Sequence, residues 1–153
     1  MSNAKTTIHD VRLIDLPKES GERQGNLTYI YENVHVPFPI ARIYYLYDVP
    51  GGAERAGHAH RELEQVLVSV SGSFRVVVDD GSERMRFTLS RPYSGLYIPR
   101  LIWRELVDFS SGSVCLALAS RPYEPEDYIY EYEPFKRMKN AKNLPAKGRA
   151  PKK

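Results

Sequence analysis

The chain has 153 residues, enough for one domain with a real core and too few for two of ordinary size. Its formal net charge is +3, from 22 Lys and Arg against 19 Asp and Glu, and much of the excess lies after residue 135, so the near-neutral body argues against a nucleic-acid surface. Cys115 is the only cysteine, which rules out a disulfide framework, and no stretch approaches the roughly 20 apolar residues that span a bilayer.

The first ten residues have no apolar signal core, so a cytoplasmic, membrane-free protein is expected. Residues 1–10 read as an N-terminal extension in which Ser2, Asn3 and Ala4 have no role. Residues 11–138 read as the domain, and 139–153 as a lysine-rich, solvated tail. Within the domain, 11–16 and 27–31 are expected to be short strands around a polar loop at 17–25. Pro37 and Pro39 punctuate the chain before 40–47, a β-branched and aromatic run expected to be a strand. Alternation puts Arg42 and Tyr44 on one face and Tyr45 and Tyr47 on the other.

The next stretch, 51–65, is the most polar before an apolar run. His58 and His60, two of four histidines, stand two apart, so on an extended strand they share a face and can act on one ligand together. Arg55, Glu62, Glu64 and Gln65 lie close by. The segment thus combines groups that titrate near neutrality, a fixed cation and several acceptors. His9 and His35 sit in segments without such a pattern and read as surface or structural.

Strands are then expected at 65–70 and 74–78, separated by the turn Ser71-Gly72-Ser73. The sequence Asp79-Asp80-Gly81-Ser82 signals a hairpin to 84–89. There Met85, Phe87 and Leu89 alternate with Arg84, Arg86 and Thr88, which requires one buried face. Further strands are expected at 96–99, 102–107 and 114–119, the last burying Cys115. Helices are expected only at 125–130, where Pro125, Glu126 and Asp127 suit a first turn, and at 134–140. Strands with turn signals about every ten residues predict an all-β sandwich or barrel of jelly-roll type with a short C-terminal helical cap.

Gly52, His58, His60, Glu64 and Gly72 are spaced almost as in the first motif of the cupins, a jelly-roll superfamily. That resemblance implies a divalent ion held by His58, His60 and Glu64, as in a metal-dependent oxygenase. The fourth ligand would come from a second motif, here Pro99-Arg100-Leu101-Ile102-Trp103-Arg104, where Arg104 stands at its position. A guanidinium has no lone pair to give, so a site without metal or other cofactor is expected instead.

A wider set of segments resembles the cupin-fold nucleotide-sugar 3,4-ketoisomerases: Arg55-Ala56-Gly57-His58-Ala59-His60, Leu63-Glu64-Gln65, Gly95-Leu96-Tyr97-Ile98-Pro99, Trp103-Arg104-Glu105 and Asp127-Tyr128-Ile129. The likeness spans residues 10–136. It implies a metal-free isomerase of dTDP-4-keto-6-deoxyglucose that supplies a 3-keto sugar to a PLP-dependent aminotransferase, for 3-amino-3,6-dideoxy sugars. It further implies His58 and His60 as the proton-transfer pair and a homodimer with exchanged N-terminal strands. Arg42 and Arg55 are candidates for the diphosphate or the enediolate. Tyr44, Gln65, Trp103 and Arg104 are candidates for the substrate pocket, and Arg104 for the configuration left at C4, with gluco favoured. His-Ala-His argues against the related 3,5-epimerases, and a non-catalytic sugar-binding module is the remaining alternative.

Overall fold

A computed structural model describes residues 5–141. Ser2, Asn3, Ala4 and the tail beyond residue 141 lie outside the described residues. In chain order the strands are β1 (Arg12–Asp15), β2 (Lys18–Gly21), β3 (Gly25–Thr28), β4 (Arg42–Leu46), β5 (Arg55–His60), β6 (Gln65–Ser71), β7 (Phe74–Asp79), β8 (Arg84–Leu89), β9 (Ser94–Ile98), β10 (Trp103–Val107), β11 (Val114–Ala119) and β12 (Tyr128–Ile129), followed by helix α1 (Tyr132–Ala141). They form two five-stranded sheets, ordered β1-β9-β6-β11-β4 and β12-β5-β10-β7-β8, and the separate hairpin β2-β3. This is the expected jelly-roll sandwich, with open sheet edges rather than a closed barrel. Among the described residues, no helix is long and apolar enough to cross a membrane.

Alternation along the strands creates three apolar layers. Leu67, Phe74, Val76, Val78, Leu96, Ile98, Leu106 and Cys115 fill the space between the sheets. On the outer side of the first sheet, Val66, Val68, Tyr97 and Leu118 are covered by Leu16, Val36 and Phe38. On the outer side of the second, Ala59, Trp103 and Ile129 pack beneath Phe135 of α1. Strands β5 and β6 thus bury apolar residues behind the faces that carry the polar site, which holds those faces rigid.

Gly72 makes the crossing from β6 in one sheet to β7 in the other. Its φ is +66°, and a Cβ there would stand 2.5 Å from Ser110 Oγ and 2.9 Å from Ser113 Cα, so only glycine fits.

Four expectations need correction. The polar segment 17–25 is not a loop but contains β2, exposed along its length, and the start of β3, a ladder closed at Gly25 with φ +76°. The helix expected at 125–130 is a single 3-10 turn, Pro125–Asp127, after which β12 joins the edge of β5. Lys139, grouped with the solvated tail, is helical and only 1% exposed, its Nζ donating to the Thr6 hydroxyl at 2.9 Å and to the Thr6 carbonyl. Ile8 is likewise a core residue, so the fold begins before residue 11.

Candidate active site

The site lies where the inner faces of β4, β5, β6, β10 and β12 converge. Strand β5 is held between β10, pairing His58 with Arg104, and β12, pairing His60 with Tyr128. The register of β10 against β5 slips between Arg104 and Leu106, the kind of bulge that re-aims side chains beside a site. Leu101, just before β10, has φ +56°, a left-handed conformation that costs a non-glycine residue about 1 kcal/mol. Its N–H donates to the His60 carbonyl at 2.8 Å and so fixes the end of β5.

His58 and His60 meet as alternation requires. Their Nε2 atoms are 3.0 Å apart with the rings nearly perpendicular, at 88°. His58 lines a cleft of about 240 Å³ together with Arg42, Tyr44, Arg55 and Tyr128, whereas His60 lies behind it, 1% exposed. At the other end of His60, Nδ1 is 3.0 Å from Asp127 Oδ2. Burial, then the charges of Arg104 and Arg42, push the His60 pKa down to about 2. The Asp127 carboxylate acts in the opposite sense, but it is shared with the N–H groups of Glu62 at 2.7 Å and Leu63 at 3.3 Å, and burial with two guanidiniums prevails. His60 is therefore neutral at physiological pH.

A second chain of hydrogen bonds runs across the floor. Arg104 is fully buried, its Nη2 donating to the Ile102 carbonyl at 2.9 Å and its Nη1 to Gln65 Oε1. Gln65 Nε2 donates in turn to Tyr44 OH at 2.9 Å. Burial lowers the Arg104 pKa to about 10, which still leaves it charged at neutral pH. Burial also raises the Tyr44 pKa, against the opposing Gln65 hydrogen bond, so the phenol keeps its proton. Because Tyr44 accepts from Gln65, that proton is available to a ligand oxygen in the cleft.

Arg42 sits 5.1 Å over the Tyr44 ring and 5.6 Å over Tyr123, with Nη2 donating to Tyr128 OH at 3.3 Å. Its buried Nε has no hydrogen-bond partner among the described residues, a donor that an oxyanion would satisfy. Arg55 lines both this cleft and an adjoining groove of about 460 Å³ formed with Tyr47, Asp48, Val49 and Glu54. The two spaces adjoin at Arg55.

The structure thus brings together His58, His60, Arg42, Tyr44, Arg55, Gln65 and Arg104. Trp103 is the exception among the expected pocket residues. Arg104 faces the cleft, so its neighbour faces outward, where the indole packs edge-on to Tyr132 at 5.5 Å and against Phe135 at 5.8 Å, with Nε1 donating to Glu105 Oε1 at 3.0 Å. Glu64 is turned away for the same reason: Gln65 points inward, and Glu64 accepts from Tyr97 OH on the far side of the sheet. The donor set of the oxygenase alternative, His58, His60 and Glu64, is therefore not assembled. Among the described residues no group of three or more His, Cys, Asp and Glu side chains is arranged to hold a metal ion. Sequence reasoning places neither Asp127 nor Tyr128 in the site, although Asp127 reaches His60 from 67 residues away; their one signal is the segment Asp127-Tyr128-Ile129, which carries the resemblance without a site role.

A family model described as FdtA: WxcM-like, C-terminal, matches residues 9–140. A curated relative from Aneurinibacillus thermoaerophilus, TDP-4-oxo-6-deoxy-alpha-D-glucose-3,4-oxoisomerase, is 44% identical over 127 residues, covering 83% of this chain and 91% of the relative. The crystal structure of a 3,4-ketoisomerase from Helicobacter canadensis superimposes with a TM-score of 0.83 at 40% identity, covering 86% of this chain and 98% of that one. QdtA, a sugar 3,4-ketoisomerase from Thermoanaerobacterium thermosaccharolyticum solved in complex with TDP, gives 0.86 at 35% identity, covering 90% and 100%.

Proposed function

The chain belongs to the FdtA, WxcM-like C-terminal family and is an isomerase of its 3,4-ketoisomerase kind, and we propose that it moves the ketone of a TDP-4-keto-6-deoxyhexose from C4 to C3 by histidine-mediated proton transfer. The observation that carries this reading is the contact of His58 Nε2 with His60 Nε2 at 3.0 Å, at the wall of a cleft with two arginines. A C3 proton is acidic only because the C4 carbonyl lies beside it, so the reaction needs a base for carbon and a donor for oxygen at once. One imidazole takes the proton from C3 while a proton is delivered to O4, giving an enediol. The O3 proton then leaves and C4 is protonated, which returns both imidazoles to their starting state. Two rings sharing one proton along a single contact suit this exchange.

Arg42 and Arg55 hold the diphosphate, Tyr44 donates to a sugar oxygen, and Gln65 and Arg104 hold Tyr44 in place. The buried cation of Arg104 also stabilises the negative charge that develops in the enediolate. The TDP held by QdtA supports the same nucleotide here. The 3-keto product is suited to reductive amination by a PLP-dependent aminotransferase, leading to 3-amino-3,6-dideoxy sugars.

The working unit is a homodimer with exchanged N-terminal strands. Strand β1 pairs with the edge of β9 through only four residues, Leu13 on it is 53% exposed, and Ile43 and Tyr45 on the opposite edge strand are 58% and 60% exposed. Covering such edges is what association achieves. Light scattering at micromolar concentration should give twice the chain mass, and a monomer alone would contradict the exchange.

The functional test is incubation of the purified protein with TDP-4-keto-6-deoxyglucose, with an aminotransferase present to trap the product for NMR. A 3-amino sugar is expected, and recovery of the 4-keto compound alone from folded protein would overturn the proposal.

A further inference from the structure

Asp127 reaches His60 on the side of the ring away from His58. The 3-10 turn Pro125–Asp127 delivers its carboxylate into the fold, where the side chain is 6% exposed. Oδ1 accepts from the Glu62 N–H at 2.7 Å, and Oδ2 faces both the Leu63 N–H at 3.3 Å and His60 Nδ1 at 3.0 Å. An ionised carboxylate only accepts, so the ring atom facing it carries hydrogen. The neutral His60 is therefore the Nδ1–H tautomer, and its Nε2 presents a lone pair towards His58.

We propose that Asp127 is a positioning residue of the isomerase, holding His60 as the Nδ1–H tautomer and so giving the His58–His60 contact its direction, with His58 Nε2–H donating to His60 Nε2. This rests on the reading of the two histidines as the proton-transfer pair. With Nε2 of His60 free of hydrogen, the inner ring accepts the hydrogen bond of the outer one and so sets which nitrogen of His58 is left with a lone pair. In the other tautomer His60 Nε2–H would donate to a His58 Nε2 lone pair across the same 3.0 Å, which reverses the direction of the contact.

A carboxylate that merely clamps the turn at residues 61–63 predicts something different, and Asp127→Asn separates the two roles. If the asparagine keeps its oxygen on the Glu62 N–H, its NH2 faces His60 Nδ1, which must then accept, and the hydrogen moves to Nε2. If it flips to keep Nδ1–H, the NH2 opposes the Glu62 N–H at a 2.7 Å site. The first arrangement sacrifices only the longer Leu63 contact. It retains the clamp and inverts the tautomer.

The experiment assigns the His60 tautomer by long-range proton–nitrogen NMR on uniformly labelled wild-type protein and on Asp127→Asn, alongside kcat, KM and the Kd for TDP. Hydrogen on Nδ1 is expected in the wild type and on Nε2 in the variant. The variant should lose about 10²–10⁴-fold in kcat, the scale on which amide replacement of a histidine-orienting carboxylate acts, with KM and Kd changed by less than about threefold. Hydrogen on Nε2 in an active wild type overturns the inference, as does a variant whose kcat stays near that of the wild type. If Asp127→Asn does not fold, the wild-type assignment alone decides the tautomer. A folded wild type that turns over no 4-keto sugar overturns the isomerase reading and the positioning role with it. That failure is distinguishable, because the NMR assignment does not depend on turnover.

Discussion

Replacing Gln65 by leucine cuts both links between the buried Arg104 and Tyr44 while roughly preserving side-chain volume. Arg104 Nη1 loses its acceptor and Tyr44 OH loses the donor 2.9 Å away. A hydrogen bond to a charged group contributes about 1.5–3 kcal/mol and a neutral one about 0.5–1.5 kcal/mol, so the expected loss is about 2–4.5 kcal/mol. The guanidinium cannot recover this from solvent, being fully buried with Nε already lacking a partner and only the Ile102 carbonyl left at 2.9 Å. For a domain of this size the loss lowers Tm by roughly 4–18 °C, readable by calorimetry, with urea denaturation giving the free energy directly. Arg104→Met removes the stranded charge, so the double variant Gln65→Leu/Arg104→Met should lose about 1.5–3 kcal/mol less than the sum of the singles. Losses that add within about 0.5 kcal/mol would refute the argument that the two side chains form one unit.

Trp103→Phe removes the indole hydrogen bond to Glu105 and opens space beneath α1, so stability should fall by about 1–2 kcal/mol while calorimetric TDP affinity stays within about twofold. A tenfold loss of affinity would put Trp103 back in the pocket. His60 gives stability a pH dependence of definite sign, since its folded pKa of about 2 lies below the ordinary 6.5. Below pH 6.5 the unfolded chain takes a proton that the folded chain refuses. The contribution is therefore complete above pH 6.5 and declines as pH falls, by up to about 1.4 kcal/mol per unit. Urea denaturation between pH 6 and 4.5 should show a steeper decline for the wild type than for His60→Asn, and equal slopes would contradict a buried neutral imidazole.

Period-two alternation made much of this fold legible. It placed Arg42 with Tyr44 and His58 with His60, and the turn at Asp79-Asp80-Gly81-Ser82 delivered the β7-β8 hairpin, paired from Phe74↔Leu89 to Asp79↔Arg84. Where burial does not write the pattern, alternation has nothing to say. Strand β2 is exposed along its whole length and exists because its turn closes, not because it hides a face. Parity alone could not choose between Glu64 and Gln65, or between Trp103 and Arg104, because each pair offers one candidate to either side of a strand. The choice was made by partners distant in sequence, Tyr97 for Glu64 and α1 for Trp103. Around Pro125 the local helix signals do produce a turn, but the open edge of β5 then captures Tyr128 and Ile129, and this capture is what brings Asp127 to His60.

The most direct test of the account compares turnover of TDP-4-keto-6-deoxyglucose by the wild type, His58→Asn and His60→Asn, with TDP affinity measured on the same samples. Both variants should bind TDP within about threefold of the wild type and lose at least about 10²-fold in turnover. Near-normal turnover by either folded variant would contradict the claim that the two imidazoles together carry the proton transfer.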